Sequence, residues 1–337
     1  MTPLVVVDAD VLGRERTGDE TYVENLLRCL PDAAGGALRF VAVTRHPELV
    51  PDGVEPVELS TGRQELRMAF GLPRLLRRLR PAIAHFQYAL PLACPCPAVV
   101  TVHDLSFERD PLAMRRRERV VFRAVVPRSV RRAARVFAVS ERTRRDLIDL
   151  YATPPEKIVV TPNAVDPAFT PGGERDGYLL FVGAIQQRKN PLAAADIAAE
   201  VGMPLVVVGP EKEPALAREL ERRGAQLRGY VDKSQLVDLY RAAACLVLPS
   251  RYEGFGLPVL EAMACGTPVV ATDEPALREV GGDAAVYANV DDLAAAVRQA
   301  LRESDARSAA GLERARLFSW EESARRAVAA YLQVLAG

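Results

Sequence analysis

Cysteine and lysine are both scarce in this chain. Its 337 residues include five cysteines, an odd number lying mostly within predicted strands and helices, so we expect buried thiols and no disulfide scaffold. Cys94 and Cys96 are the only closely spaced pair, and without further ligands at metal-binding spacing they predict no metal site. The chain has only four lysines beside 40 arginines. A lysine within a sequence motif is therefore stronger evidence for a functional role than an arginine would be.

Long apolar runs and a leader-like start are absent as well. No stretch approaches the 18 apolar residues that a membrane-spanning helix needs. The opening residues lack the basic region of a secretory signal and reach an acidic residue at Asp8. We therefore expect a cytoplasmic protein, whose only membrane association would be weak peripheral contact with an anionic surface.

Aromatic residues make up only 6% of the chain, which disfavours a surface on which nucleic-acid bases stack. The opposing observation is an arginine-rich segment, residues 114–135. If Val120, Val121, Ala124 and Val125 dock on the sheet, its arginines form a solvated outer face. The alternative is that this face binds an anionic membrane or a phosphate-bearing acceptor.

Strand and helix patterns alternate through both halves of the chain. Strands are predicted at 4–7, 38–43, 54–59, 83–86, 99–102, 136–139 and 158–161, then at 179–182, 205–208, 246–248, 269–271 and 285–287. Helices are predicted between them, including 20–30 and 64–79. Such alternation predicts an α/β protein with two Rossmann-like, doubly wound parallel sheets. The boundaries are 1–168 and 174–318, separated by a Pro/Gly-rich stretch, and ligands are expected in a cleft between the two.

Residues 249–272 carry the most specific pattern. A strand leads into a turn with Glu253 and then Gly254-Phe255-Gly256, and the following helix carries Glu261. Free backbone amides at a helix N-terminus attract phosphate, and glycines allow it to approach closely. Carboxylates so near a phosphate site are better suited to accept hydrogen bonds from sugar hydroxyls. The inferred ligand is therefore a nucleotide-sugar.

This segment resembles the Glu-x7-Glu signature of retaining glycosyltransferases of family four, which are mannosyltransferase-like enzymes with the two-domain GT-B fold. Further matching segments lie at 101–107, 139–147, 160–166, 181–190 and 228–231. The resemblance implies catalytic roles for His103, Arg188, Lys189 and Glu253. It implies donor binding by Gly18, Asn163, Gly183, Tyr230, Val231, Gly254, Phe255, Gly256, Leu257 and Glu261. Asp19, Asp104 and Ser140 are then acceptor-side candidates, and residues 319–337 form a helix returning to the N-terminal domain.

Two positions depart from the family pattern. Ala184 stands where many members have an arginine, so Arg188 is expected to substitute for the missing phosphate contact. In the loop 14–22, acidic residues follow Thr17-Gly18 where relatives have glycine and arginine. Thr17 and Glu20 are expected to form a capping box at the helix start. Alternatively, Asp19 faces an acceptor that carries amino groups.

The combined interpretation is a retaining hexosyltransferase that uses a nucleoside-diphosphate sugar and no divalent metal or other cofactor. Residues 8–10 do spell Asp-Ala-Asp, but they lie far in sequence from the phosphate-binding segments. The sequence does not distinguish whether the acceptor is a saccharide, a secondary metabolite or a lipid-linked sugar. Two rival functions remain: a GT-B nucleotide-sugar epimerase and a nucleic-acid-binding protein. The dinucleotide motif Gly-x-Gly-x-x-Gly is absent after the first strand.

Overall fold

The computed structural model describes residues 2–14, 17–110 and 114–337, with the side chain of Thr17 outside that description. The chain forms two compact units. The first comprises Met1–Leu105, Arg116–Asn163 and Ser319–Gly337, and the second comprises Ser106–Arg115 and Ala164–Phe318.

The first half of the chain alternates strand and helix as predicted. Its strand boundaries are shifted by at most one residue, whereas the helix predicted at 20–30 begins three residues earlier and ends four residues later. Its strands are β1 (Leu4–Asp8), β2 (Arg39–Thr44), β3 (Glu55–Glu58), β4 (Ile83–Gln87), β5 (Ala98–Val102), β6 (Arg135–Ala138) and β7 (Ile158–Val160). Its helices are α1 (Thr17–Ala34), α2 (Gln64–Leu66), α3 (Leu72–Leu79), α4 (Ser106–Arg109), α5 (Arg116–Arg132) and α6 (Glu141–Tyr151). The seven strands form one parallel sheet in the order β3-β2-β1-β4-β5-β6-β7.

The second half repeats this architecture. Its strands are β8 (Tyr178–Val182), β9 (Leu205–Val208), β10 (Gln226–Leu227), β11 (Ala243–Leu248), β12 (Val269–Thr272) and β13 (Val286–Ala288). Its helices are α7 (Pro191–Val201), α8 (Pro214–Arg222), α9 (Lys233–Ala242), α10 (Leu257–Ala264), α11 (Pro275–Gly281), α12 (Leu293–Arg302) and α13 (Ser304–Ala315). The strands form a parallel sheet in the order β10-β9-β8-β11-β12-β13.

Both sheets therefore share the doubly wound order, and the predicted fold class is confirmed. In each sheet the order reverses next to the first strand, between β1 and β4 and between β8 and β11. Ligands of such folds bind at the carboxyl ends of the strands at this switch point, so each unit has one predictable location for a site.

The predicted helix 64–79 is wrong in detail. A π-helical turn, Arg67–Gly71, separates α2 from α3. Pro73 has no N–H to donate to the carbonyl four residues earlier, and the wider turn lies just before it. Arg67, in that turn, is fully buried and donates two hydrogen bonds to Asp8 at the end of β1, at 2.6 and 3.0 Å.

The final helix, α14 (Trp320–Ala336), belongs to the first unit and packs against α1. Ser319 caps its start by accepting a hydrogen bond from the Glu322 amide. Its Tyr331 hydroxyl lies 2.7 Å from Nδ1 of His85, a fully buried residue of β4. In the described ranges, we find no helix with the length and apolar character required to traverse a bilayer.

Candidate active site

The turn after β8 carries two predicted cationic residues. Gly183 follows the strand with a φ of +154°, and Gln187–Lys189 form a short 3-10 turn before α7. A Cβ on Gly183 would lie 3.7 Å from Cδ of Lys189, so the lysine stem passes over this glycine. The strand end thus presents both Arg188 and Lys189 beside the switch point of the second sheet.

Glu253, in the turn after β11, meets these cations. Nζ of Lys189 lies 2.6 Å from both carboxylate oxygens of Glu253, and Nη1 of Arg188 lies 3.6 Å from one of them. Arg188 also donates to the backbone carbonyl of Tyr252 at 2.6 Å. Burial alone would raise the pKa of Glu253, but the two cations outweigh it and lower that pKa, so Glu253 is a carboxylate at neutral pH.

The glycine-rich turn that follows requires glycine at its last position, Gly256. Gly256 has a φ of +110° and precedes α10, and a Cβ there would lie 2.8 Å from Cδ2 of Leu277. Phe255 is buried, with its ring edge-on to Phe318 at 5.8 Å. Gly254 and Phe255 can therefore offer a ligand their backbone rather than a side chain, and Leu257 begins the helix.

Glu261 lies one turn further along α10 and accepts a hydrogen bond of 2.7 Å from the hydroxyl of Tyr240. The pKa of Glu261 is raised to about 7, mainly by burial and also by the charge of Asp166, while the Tyr240 hydrogen bond and the charge of Lys233 act in the opposite direction. Lys233 in turn forms a 2.6 Å ion pair with Asp166. Glu261, unlike Glu253, is therefore close to half protonated at neutral pH.

Tyr230 and Val231 precede α9, near Lys233. Tyr230 is 55% exposed, whereas Val231 is half-buried. They follow Gly229, whose carbonyl accepts a hydrogen bond from Gly209 at 2.8 Å, and they precede a capping box made by Asp232 and Gln235.

In the first unit, His103 follows β5 and is enclosed by rings. Its Nε2 lies 2.8 Å from the side-chain oxygen of Gln87, and its ring contacts Tyr22 edge-on at 5.0 Å and Tyr88 at 5.4 Å. Burial lowers the pKa of His103, while Asp19 and Asp104 act in the opposite direction. His103 is thus a neutral hydrogen-bonding group at neutral pH.

The remaining first-unit candidates have local structural contacts. The Asp104 amide donates to the Tyr88 hydroxyl at 3.1 Å. Ser140 caps α6 by accepting from the Thr143 amide at 2.9 Å. Asn163 is buried and, within the described part of the chain, its Oδ1 has no hydrogen-bond partner, which leaves that oxygen available to a ligand donor.

The loop before α1 differs from its prediction. The helix already begins at Thr17, and the Glu20 carboxylate accepts a hydrogen bond from the Gly13 amide at 2.6 Å. Glu20 thus fastens the preceding loop, while the Thr17 half of the expected capping box lies outside the described side chains. Apart from its chain neighbours and the backbone of its own helix, no described residue lies within 4 Å of a Cβ built on Gly18, and Asp19 accepts from the Glu20 amide at 3.2 Å.

Asp8, the last residue of β1, and Asp10, two residues further on, both form ion pairs with arginines. Asp8 pairs with Arg67, and Asp10 pairs with Arg14 and with Arg45, the latter at 3.0 Å. Both aspartates are largely buried. Their oxygens therefore neutralise first-unit cations rather than project together as an open pair of ligands.

Sequence reasoning did not select Lys233, Tyr240 or Gln87 as site residues. The scarcity of lysine was an available signal for Lys233. Tyr240 and Gln87 had no comparable signal, because each lies in an ordinary buried pattern and acquires its partner, Glu261 or His103, only through the fold.

Comparison with known proteins gives a consistent result. Residues 176–303 match a family model described as Glycosyl transferases group 1, and residues 16–169 match one described as Glycosyltransferase Family 4. The chain is 32% identical to O-antigen chain mannosyltransferase B of Escherichia coli over 266 residues, which are 69% of this chain and 70% of that relative.

Solved structures resemble the whole chain at low identity. Sucrose-phosphate synthase from Thermosynechococcus elongatus has a TM-score of 0.77 at 20% identity and full coverage of both chains. The Anabaena protein Alr3699/HepE in complex with UDP-glucose has a TM-score of 0.75 at 14% identity, covering 98% of this chain and 99% of that one. At such identities the likeness concerns the fold, and it confirms the GT-B class.

Proposed function

This chain belongs to glycosyltransferase family 4, and from that premise we propose that it moves a hexose from a nucleoside-diphosphate sugar to an acceptor hydroxyl with retention of anomeric configuration. The observation that carries the proposal is the cluster of Arg188, Lys189 and Glu253 at the switch point of the second sheet. Cations and a carboxylate in contact suit a ligand that joins a diphosphate to a hydroxyl-rich sugar.

Donor binding is assigned to both ends of the glycine-rich turn. Glu261 accepts the ribose hydroxyls at one end, and Glu253 accepts hydroxyls of the transferred sugar at the other. The amides of Gly254, Phe255 and Gly256 approach the sugar or its phosphate, where the absence of a Cβ at Gly256 keeps the backbone accessible. Tyr230 and Val231 contact the base through their backbone, and Lys233 is added as a cation near the ribose end.

In the proposed chemical step, cationic side chains neutralise the negative charge that develops on the leaving diphosphate. Negative charge grows on the diphosphate as the glycosidic bond breaks, so Arg188 and Lys189 stabilise the transition state more than the ground state. The acceptor hydroxyl attacks on the face that the diphosphate leaves, and a departing phosphate oxygen takes its proton. His103, neutral and fixed by Gln87, offers Nδ1 as a hydrogen-bonding atom to a sugar hydroxyl or the acceptor. Asn163 offers its buried Oδ1.

We propose further that no divalent metal takes part. The cations that a diphosphate needs are supplied by the chain itself, and the two aspartates of the 8–10 segment are neutralised by arginines. Activity is expected to persist in a strong chelator. Complete loss of turnover that manganese or magnesium restores would contradict this part of the mechanism.

The decisive experiment is product analysis by mass spectrometry, with a panel of nucleotide-sugars and with saccharide, secondary-metabolite and lipid-linked acceptors. Transfer is expected to require an acceptor, and NMR of the product should show the anomeric configuration of the donor. Conversion of the nucleotide-sugar with no acceptor present would instead indicate an epimerase. An inverted product would refute same-face attack.

A further inference from the structure

The outer face of α5 exposes apolar side chains that the sequence predicted to be buried. Val120 is 63% exposed, Val121 is 57% exposed and Ala124 is exposed too, whereas Val125 is half-buried. The prediction that these four residues dock on the sheet is therefore wrong for the first three. The residues of α5 that are buried are Val126, Ser129 and Val130. At 100° per residue, this buried stripe lies opposite the two valines.

Arginines surround the exposed valines on the same face. Helical spacing places Arg117, Arg128 and Arg131 on the outward half of α5 with Val120 and Val121, and it places Arg116 and Arg123 along the edges of that half. All five arginines are exposed. Glu118 is the only acidic residue in α5. These seven residues are called the arginine–valine surface below.

Other exposed hydrophobic side chains adjoin the carboxyl end of α5. Leu92 is 75% exposed; its amide donates to the Met68 carbonyl and its carbonyl accepts from Arg132, both at 3.3 Å. Phe70, two residues beyond Met68, is 66% exposed. Hydrogen bonds thus connect the carboxyl end of α5 with Leu92 and with the π-helical turn, where two further hydrophobic side chains are exposed.

An open groove of about 770 Å³ runs between α5 and the end of α6. It is lined by Arg123, Arg128 and Arg131, with Asp149 as its acidic member. A groove of net positive charge beside exposed aliphatic side chains has two properties at once: it attracts phosphate, and it offers apolar surface that water solvates poorly.

We propose that the arginine–valine surface docks this protein on an anionic membrane. The arginines bind lipid phosphates, while Val120, Val121 and Leu92 enter the boundary between headgroups and acyl chains. Charge complementarity selects the anionic lipid, and the aliphatic side chains favour a bilayer over nucleic acid. A nucleic acid would use the arginines but gains little from exposed valines, because its bases stack on aromatic rings.

Vesicle flotation of the full chain tests this surface. We expect binding to phosphatidylcholine vesicles that contain phosphatidylglycerol, weaker binding as salt increases, and little binding to phosphatidylcholine alone. The Arg116→Gln/Arg117→Gln variant should bind about thirtyfold more weakly at low salt. The Val120→Asp/Val121→Asp variant should lose at least about tenfold, because the aspartates cannot enter the apolar boundary.

Matched controls come from exposed positions of the second unit. Arg218→Gln/Arg302→Gln removes two exposed arginines, and Val290→Asp places a single aspartate, half the charge of the double valine variant, at an exposed valine; both should bind like the parent chain. Unfolding temperatures should be unchanged throughout, since all these side chains are exposed. Absence of binding at low salt, equal binding to neutral vesicles, or full binding by the valine variant would overturn the proposal. Tight binding of a DNA duplex would also overturn it, if the valine substitutions do not weaken that binding and the bound duplex prevents vesicle binding.

Discussion

At the scale of single residues, the ion pair between Glu253 and Lys189 connects structure to proposed chemistry. In the free protein the lysine neutralises a buried carboxylate at 2.6 Å. A bound donor would offer Lys189 a phosphate and Glu253 a set of hydroxyls. The ion pair therefore keeps both side chains in position before the donor binds, and it must break when each group takes its new partner from the donor.

Lys189→Ala should lower turnover more than donor affinity. Charge on the leaving diphosphate is greatest in the transition state, so the loss in kcat is expected to be about 10²- to 10³-fold. Steady-state kinetics and calorimetric titration with the donor separate the two effects. Lys212→Ala, which removes an exposed lysine of the same unit, should change neither. A large loss of affinity with normal turnover would contradict the assigned role.

Glu261 predicts a pH dependence of donor binding. Its pKa is raised to about 7 mainly by burial, and ribose hydroxyls require the ionised carboxylate as acceptor. The ionised fraction rises about tenfold from pH 6 to pH 8, so donor affinity should rise by a similar factor. Calorimetry across this range measures it. Glu261→Gln should bind more weakly and nearly independently of pH.

The same group affects stability with the opposite sign. The pKa of Glu261 is raised on folding from 4.5, so its contribution is fully present below 4.5 and is lost as pH rises through 7. Denaturant titrations should show a flatter profile between these values for Glu261→Gln than for the parent chain. An unchanged profile would indicate that the raised pKa is not a property of the folded protein.

At the scale of elements, α14 is attached to the first sheet through a buried polar contact. Tyr331→Phe removes the hydroxyl partner of His85 Nδ1, whose pKa burial lowers to about 3, so the ring stays neutral and loses a hydrogen bond. The free energy of unfolding should fall by about 1–3 kcal/mol. Leu332→Ala, at the exposed neighbouring position, should cost about 0.5 kcal/mol or less. Equal effects of the two substitutions would argue against the hydrogen bond.

Strand prediction succeeded because buried parallel strands are short runs of valine, leucine and isoleucine between turns. β10 was missed because two residues form no pattern. α5 shows the limit for helices: its apolar residues fit more than one stripe, and Ser129 lies in the buried one. The Ser129 hydroxyl accepts a hydrogen bond from Leu90 and donates one to Val125, which allows a polar residue inside and leaves valines outside.

From the sequence, the candidate site could be predicted only as separate motifs, without the contacts between their residues. Lys189 and Glu253 are 64 residues apart and Tyr240 and Glu261 are 21 apart, so their pairing depends on how strands β8 and β11 and helices α9 and α10 are arranged. Single-sequence patterns give the residue types and their approximate strand ends. Partner choice, and the pKa difference between the two glutamates, required the fold.

At the scale of the whole molecule, the first unit includes a segment that follows the main part of the second unit, residues 164–318. Residues 320–336 supply buried side chains to the first unit, including Trp320, Ala327 and Tyr331. A chain ending at Phe318 should expose the apolar face of α1 and lose cooperative folding of the first unit. Hydrogen exchange should become fast in β1–β7 and stay slow in β8–β13. Native-like protection of both sheets would refute this dependence.

The placement of α14 also has a consequence for biosynthesis. Translation delivers residues 164–318 before residues 320–336, so the second unit has its complete sequence while the first still lacks a helix. The half of the molecule that leaves the ribosome first is thus the last to complete its core. Until then the apolar surface of α1 is unprotected, and a nascent-chain chaperone would find its binding site there rather than on the second unit.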